Sequence, residues 1–452
     1  MNRTHAFLRS IQLIALLWLA SSADIVWNGA KVDAWPAQAL PELSARTNAM
    51  GLQKLAANVS GMGYYPSPHG TLQGLTLLVD FSDQPATVLK QDADDWLNKV
   101  GFNKDGCNGS VHDYYAAISN GKVDLHNQVY GFYRALKPKS YYEGGSGYDR
   151  ASELLNEVLN YFDSQIDFSV FDNDGDGNTE SISIVYAGAG AVWGQGIWPH
   201  SGWIGQQRDG VTLTRYMMTD MPGTFSLYVF AHESGHMIFG WPDLYWFGDY
   251  CIMGNRMSET NPVLVNDFFR ADQGWIPFVD VNSSTNGLLQ TSVNGESYRY
   301  VNPARSTEGF FWSQISNTGH NTSLQGSGLL LFHYDMAESG NTSASNLLLR
   351  IVQADNQAHL QASQWPSPGS ASNDLFRSNT SSEFSASTSS YSAWYNGTPS
   401  ALRIWEISAV KDSMTFKLGT GQAPVGINIP KFAHGQGLQS KHWNLLGQQI
   451  KN

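Results

Sequence analysis

Apolar positions along the chain keep two different rhythms, and the change falls near residue 280. Before it, Leu75-Thr76-Leu77-Leu78-Val79-Asp80-Phe81 is a short apolar run of the kind that forms a buried strand. Residues 148–163 then place Leu154, Leu155, Val158, Leu159 and Phe162 on one face at helical spacing, which predicts an amphipathic helix. Ile182-Ser183-Ile184-Val185-Tyr186 reads as a second strand, and helices are expected at 224–239 and 262–272. After residue 280, short runs at 298–301, 329–333, 348–352, 402–407 and 414–418 alternate with Gly, Ser and Asn. Strands at that spacing with turn residues between them predict an antiparallel β-domain, sandwich-like in form. The fold class expected is α+β at 71–280, followed by a β-rich domain at 281–420. Residues 421–452 read as a flexible tail. Residues 24–70, with Pro36, Pro41, Pro66 and Pro68 and little periodicity, read as a pro-segment or extended arm.

The first 23 residues have the three parts of a signal peptide. Arg3, His5 and Arg9 are basic, the run from Ile11 to Ala20 is broken only by Gln12, and Ser21-Ser22-Ala23 supplies small residues for cleavage. That run is too short to span a bilayer, and no later stretch reaches that length. Export and a secreted protein follow, with no membrane span after signal removal. A net charge of −12 argues against a nucleic-acid groove, which needs clustered Lys and Arg. The two cysteines, Cys107 and Cys251, predict one disulfide in an oxidising compartment, with two buried free thiols as the alternative.

Candidate chemistry centres on His232-Glu233-Ser234-Gly235-His236. Side chains four apart on a helix share a face, so His232 and His236 can aim both imidazoles at one metal ion. Glu233 is offset by about a third of a turn and can reach the ion's open position without occupying it. A zinc ion there lowers the pKa of water towards ~7, and the carboxylate accepts the proton as water attacks a carbonyl. The competing reading is a helix with polar residues four apart. Against it stand the apolar turns before it, Phe225 and Leu227 to Phe230, which drive this helix into a core. Gly235 in mid-helix costs about 1 kcal/mol against Ala and points to close packing with another backbone. Gly240 suits a left-handed helix end, Pro242 forbids resumption, and Asp243 is the first side chain able to swing back.

The stretch His232 to Tyr245, HESGHMIFGWPDLY, with YCIMG from Tyr250, resembles the immune-inhibitor-A family of secreted zinc metallopeptidases. Similarity extends to LVDFSDQP at Leu78, GSVHDYYAAISNGKVDL at Gly109, GIWPH at Gly196, GSGLLLFHYD at Gly326 and DSMTFKL at Asp412. The resemblance implies a metzincin-type catalytic domain with His232, His236 and Asp243 as zinc ligands and Glu233 as general base. It makes Met253 the Met-turn residue beneath the metal. One departure stands out: Gly240 and Asp243 each come one residue later than the usual metzincin spacing. Glu259 is therefore the reserve third ligand.

A second constellation, Asp172-Asn173-Asp174-Gly175-Asp176-Gly177-Asn178-Thr179-Glu180, has hard oxygen ligands at alternate positions of a turn, as Ca²⁺ requires. Asp172, Asp174, Asp176 and Glu180 would bind through carboxylates and Asn178 through its carbonyl. Ser183 stands where a sensor loop has its bidentate Glu, so a structural site is expected. His200 is either a satisfied core histidine or a substrate-cleft residue. Sequons occur at Asn282, Asn321, Asn341, Asn379 and Asn396. The expected function is a zinc metalloendopeptidase acting on proteins or peptides, its cofactors Zn²⁺ and Ca²⁺. The rival is an inactive secreted binding or adhesion protein on a peptidase fold.

Overall fold

The computed structural model describes residues 69–420, apart from 145–147, 192–195, 256–257, 283, 342–346 and 364–367, together with two backbone strands at Ile25–Trp27 and Ala30–Val32. The expected signal peptide and C-terminal tail lie outside the described residues, as does most of the 24–70 arm. Among the described residues no helix is long and apolar enough to cross a membrane.

The first part of the chain builds one mixed sheet. Its strands are β1 (Ile25–Trp27), β2 (Ala30–Val32), β3 (Gly70–Asp80), β4 (Val123–Arg134), β5 (Asn178–Thr179), β6 (Ile182–Ala187), β7 (His200–Arg208) and β8 (Val211–Met221). The spatial order is β2-β1-β7-β8-β6-β3-β4, with β5 also beside β8. Strands β8, β6, β3 and β4 run parallel, while β7 runs against β8. The secondary structure is mixed α and β as expected, and the sheet of this part is largely parallel. Parallel neighbours need crossover connections; helices α1 (Lys90–Asn98) and α2 (Val111–Ile118) lead from β3 to β4, and α3 (Lys139–Glu143) and α4 (Asp149–Phe162) lead from β4 back to β6 beside β3, whereas β7 joins β6 to β8. Helices α5 (Tyr228–Phe239) and α6 (Asp267–Asp272) follow the last strand.

Helix α4 is the element whose pattern was plainest, and all five of its predicted apolar residues are buried. They form one core with Leu75, Leu77, Val79, Ile182 and Ile184. The opposite face of the sheet, through Leu72, Leu78 and Val185, packs on α1, α2 and α5. A sheet buried on both faces has near-continuous apolar strands, which is why 75–81 shows no alternation.

Beyond it, β9 (Phe278–Val281), β11 (Ser297–Asn302), β12 (Arg305–Ile315), β13 (Gly328–Asp335) and β14 (Leu349–Ile351) make a five-stranded sheet, ordered β14-β13-β12-β11-β9. A three-stranded sheet holds β10 (Gly287–Ser292), β15 (Leu402–Trp405) and β16 (Ser413–Thr420). The two sheets share a core in which Tyr298, Phe310, Trp312 and Leu331 meet Phe384, Ile404, Met414 and Phe416. The other face of the five-stranded sheet, with Phe311, Leu330, Phe332 and Tyr334, joins the core that contains α5 and α6. Strand β13 is accordingly buried at every position.

Two helix starts differ from expectation. Helix α5 begins at Tyr228 rather than 224, because the carbonyl of Glu259 takes the N–H groups of Leu227 (2.8 Å) and Tyr228 (3.0 Å). Helix α6 begins at Asp267 because Asn266 caps it, its Oδ1 accepting from Phe269 N at 2.9 Å.

Candidate metal centre

Helix α5 is buried along its whole length, which explains its lack of an exposed polar stripe. It ends at Gly240, which takes φ 67° and ψ 18°, and its N–H returns to His236 O at 3.1 Å. The left-handed cap reverses the chain, so Trp241 O and Asp243 come back over the last turn. His236 Nδ1 lies 2.5 Å from Trp241 O, and His232 Nδ1 lies 2.8 Å from Ile252 O. A carbonyl can only accept, so each Nδ1 carries the proton and each Nε2 presents a lone pair.

Those lone pairs converge. The two Nε2 atoms are 3.1 Å apart, and Asp243 Oδ1 is 3.2 Å from that of His232 and 3.5 Å from that of His236. All three side chains are buried. Burial pushes the Asp243 carboxyl up, but when a proton sits on the facing Nε2 the charge of His236 and the hydrogen bonds from both rings outweigh this and hold it below the usual carboxylate range. Burial pushes His236 down. Three electron-rich atoms facing one another in a dry site repel unless a proton or a metal ion lies among them, and two imidazoles with one carboxylate are a donor set that zinc can take. The residue set fits the metal that the sequence implied.

The extra residue in the turn is thus absorbed without displacing Asp243. Its outer oxygen, Oδ2, accepts from Tyr245 OH at 3.3 Å, a contact with no signal in the residue pattern. Leu244 N donates to Met253 O at 2.8 Å, tying the Asp243 turn to the segment 250–254. Met253 lies against the helix at Gly235, where an added Cβ would stand 2.9 Å from Met253 Sδ and 3.0 Å from Trp241 Cε3. Gly235 is needed for close approach, as expected, but the partners are side chains and not a backbone. Glu233 is fully buried on the same helix.

Glu259 sits elsewhere. Its carboxylate accepts from Ser226 Oγ at 2.7 Å and its carbonyl caps α5, so it is not grouped with the histidines. It lines a cleft of about 390 Å³ with Thr219, Asp220, Phe225, Val229 and Phe230. The disulfide is also corrected: Cys107 and Cys251 are separate buried thiols. Cys107 Sγ donates to Phe225 O at 3.6 Å, while Cys251 Sγ accepts from Asn266 Nδ2 at 3.2 Å and Met253 N at 3.4 Å. His200 is a satisfied core histidine, with Nδ1 at 2.6 Å from Trp198 O and Nε2 at 2.8 Å from Tyr216 OH. Burial lowers its pKa to about 4. Asn341 is no glycan acceptor in this fold. Its fully buried amide donates to Tyr245 O (2.7 Å) and Leu349 O (2.9 Å).

The acidic loop gathers Asp172, Asp174, Asp176 and Glu180 into one group of carboxylates. Gly175 and Gly177 take φ of 74° and 84°, allowing the tight turn. Asp172 accepts from the N–H groups of Asp176 (3.0 Å) and Gly177 (2.9 Å), while Glu180 accepts from Asn173 N (2.9 Å). Burial pushes Glu180 up to about 8, and burial followed by the Asp176 charge raises Asp174. Asn178 opens β5 and turns its Nδ2 onto Asp176 Oδ1 at 2.7 Å, so its side chain braces the loop. Two further groups of metal-ligand type were not singled out from the sequence: His112, Asp124 and His126, and Asp355, His359 and Asp374. In the latter, Asp374 Oδ2 is held by Tyr250 OH (2.8 Å) and Ala371 N (2.7 Å), which braces the loop next to Met253. Compared with known proteins, the chain matches no family model and no curated protein.

Proposed function

We propose that the chain is a secreted zinc metalloendopeptidase of the immune-inhibitor-A kind. The reading is carried by one observation: His232, His236 and Asp243 converge while backbone carbonyls fix both imidazoles with Nε2 inward. When bound, zinc supplies Lewis-acid chemistry, acidifying water and polarising a carbonyl. The chain's residues do the rest. His232 and His236 orient the site, and their carbonyl partners stop the rings from rotating. Asp243 contributes the anionic donor, steadied by Tyr245. Glu233, next to His232 and held out of bulk water, takes the attacking water's proton and passes it to the leaving amine. Met253, Trp241 and Gly235 form the floor that keeps the helix and the Asp243 turn at fixed separation.

The acidic loop is proposed to hold a structural Ca²⁺, supported by its clustered carboxylates and by the raised Glu180, which a cation would let ionise. The burial of Glu233 and all three ligands fits a latent form. The pairing of β1 with β7, Ile25 opposite Ser201, supports a role for the arm in that latency. The deciding experiment is casein hydrolysis by the zinc-loaded mature form, freed of its signal and pro-segment, and its Glu233→Gln variant. The variant should keep its zinc and lose about 10²–10⁴-fold in rate, the range for a general base. Activity that survives in the Gln variant would refute the mechanism.

A further inference from the structure

Outside the His232 group, a second set of imidazoles meets a carboxylate. His112 is in the first turn of α2, and Asp124 and His126 are alternate residues of β4, so both point away from the core that takes Val123 and Leu125. The tight connection through Asn120 and Gly121, both at positive φ, folds α2 back beside β4. His112 Nε2 lies 2.8 Å from Asp124 Oδ1, and His126 Nε2 lies 3.0 Å from the same oxygen. The rings stand 5.2 Å apart at 41°. Thr71 Oγ1 donates to the other oxygen, Oδ2, at 3.2 Å, which orients the carboxylate.

We propose that His112, Asp124 and His126 form a second divalent transition-metal site, independent of the one at His232. Three features argue for an ion over a plain pair of hydrogen bonds. Both rings present Nε2 to a single point, and two nitrogens with one oxygen is a set that Zn²⁺ and its neighbours favour. The donors come pre-placed. The capping box between Ser110 and Asp113 fixes the first turn of α2, and the strand fixes the other two. The side chains of Asp124 and His126 are each 47% exposed, so water can complete the coordination sphere. The ligand class is a borderline divalent ion, and Zn²⁺ is the probe.

The test is zinc stoichiometry. The full chain is stripped with chelator and dialysed against Zn²⁺ with excess Ca²⁺ to occupy the acidic loop. The expected result is two zinc ions per chain, falling to one in His126→Ala and to one in His232→Ala. Because His126 is half exposed, its substitution leaves the core intact. Asp124→Asn serves as a second variant, with the unfolding midpoint of the metal-free forms as the check on folding. Affinity at this site should fall more than about tenfold in either variant, a loss that removal of an outer partner alone can cause. Two equivalents retained in both variants would overturn the inference. So would a single equivalent in the parent that only His232→Ala removes, and that result would leave the His232 site standing.

Discussion

Gly235→Ala tests how the floor of the site is built. Placing Ala in mid-helix gains about 1 kcal/mol of helix propensity. The new methyl would stand 2.9 Å from Met253 Sδ and 3.0 Å from Trp241 Cε3, against a carbon contact optimum of about 3.5–4.0 Å. Relief requires both neighbours to move by roughly half an ångström or more. Met253 has a flexible side chain. Trp241 does not give easily, being stacked on Phe239 (centroids 4.5 Å apart) and Phe269 (5.8 Å) and edge-on to Trp275 (5.8 Å). Overpacking of this kind costs about 1–3 kcal/mol, so a net loss of about 1 kcal/mol is expected. The carbonyl that fixes His236 belongs to Trp241, so the displaced ring should also weaken zinc binding. The assay is urea unfolding of the metal-free chain beside zinc affinity of the same variant. In a Met253→Ala background the cost of Gly235→Ala should shrink, a coupling of about 0.5–3 kcal/mol. A variant more stable by the full propensity gain, with unchanged zinc affinity, would refute the reasoning.

Two other outcomes are expected. Asp243→Ala should abolish zinc retention, while Glu259→Ala should keep the metal and cost about 1 kcal/mol for the lost bond from Ser226; metal analysis of both variants decides, and the reverse pattern would make Glu259 the ligand. His200, whose pKa falls to about 4 on burial, stays neutral in the folded state while the unfolded chain takes up a proton below its ordinary value near 6.5. The unfolded state then binds more protons, so stability is lost as pH falls from about 6.5 through 4, by up to about 1.4 kcal/mol per pH unit from this group. Unfolding midpoints of the parent and His200→Gln across that window should converge at acid pH if the sign is right.

Legibility in the sequence followed physical locality. The helix at 148–163 and the strand at 182–186 were plain because their burial is encoded in their own spacing. The His232–His236 pair was plain for the same reason, four residues being one face of a helix. Asp243 was half legible: Gly240 and Pro242 announce a reversal, but only the cap geometry shows that the reversal brings Oδ1 to both Nε2 atoms. Parallel pairing left no local trace, since β3 and β6 are apolar on both faces whichever way their neighbours run. The delayed start of α5 was hidden because its cap is a carbonyl 32 residues downstream, at Glu259. The cysteines misled for a related reason. Parity and compartment argue for a bridge, but each thiol is buried with other partners, Cys107 against Phe225 O and Cys251 against Asn266. His112 and Asp124 were invisible as a pair, joined only when α2 folds back on β4.

Strands β12 and β13 carry one consequence beyond the site. Phe310, Trp312 and Leu331 face the C-terminal core, while Phe311, Leu330 and Phe332 complete the core around α5. The part after residue 280 is therefore a shared wall and not an appendage that can be clipped off or exchanged. A protease nick or frameshift that removed it would strip one side from the hydrophobic bed of the histidines. The two parts therefore fold and unfold as a unit, joined by one surface that neither exposes.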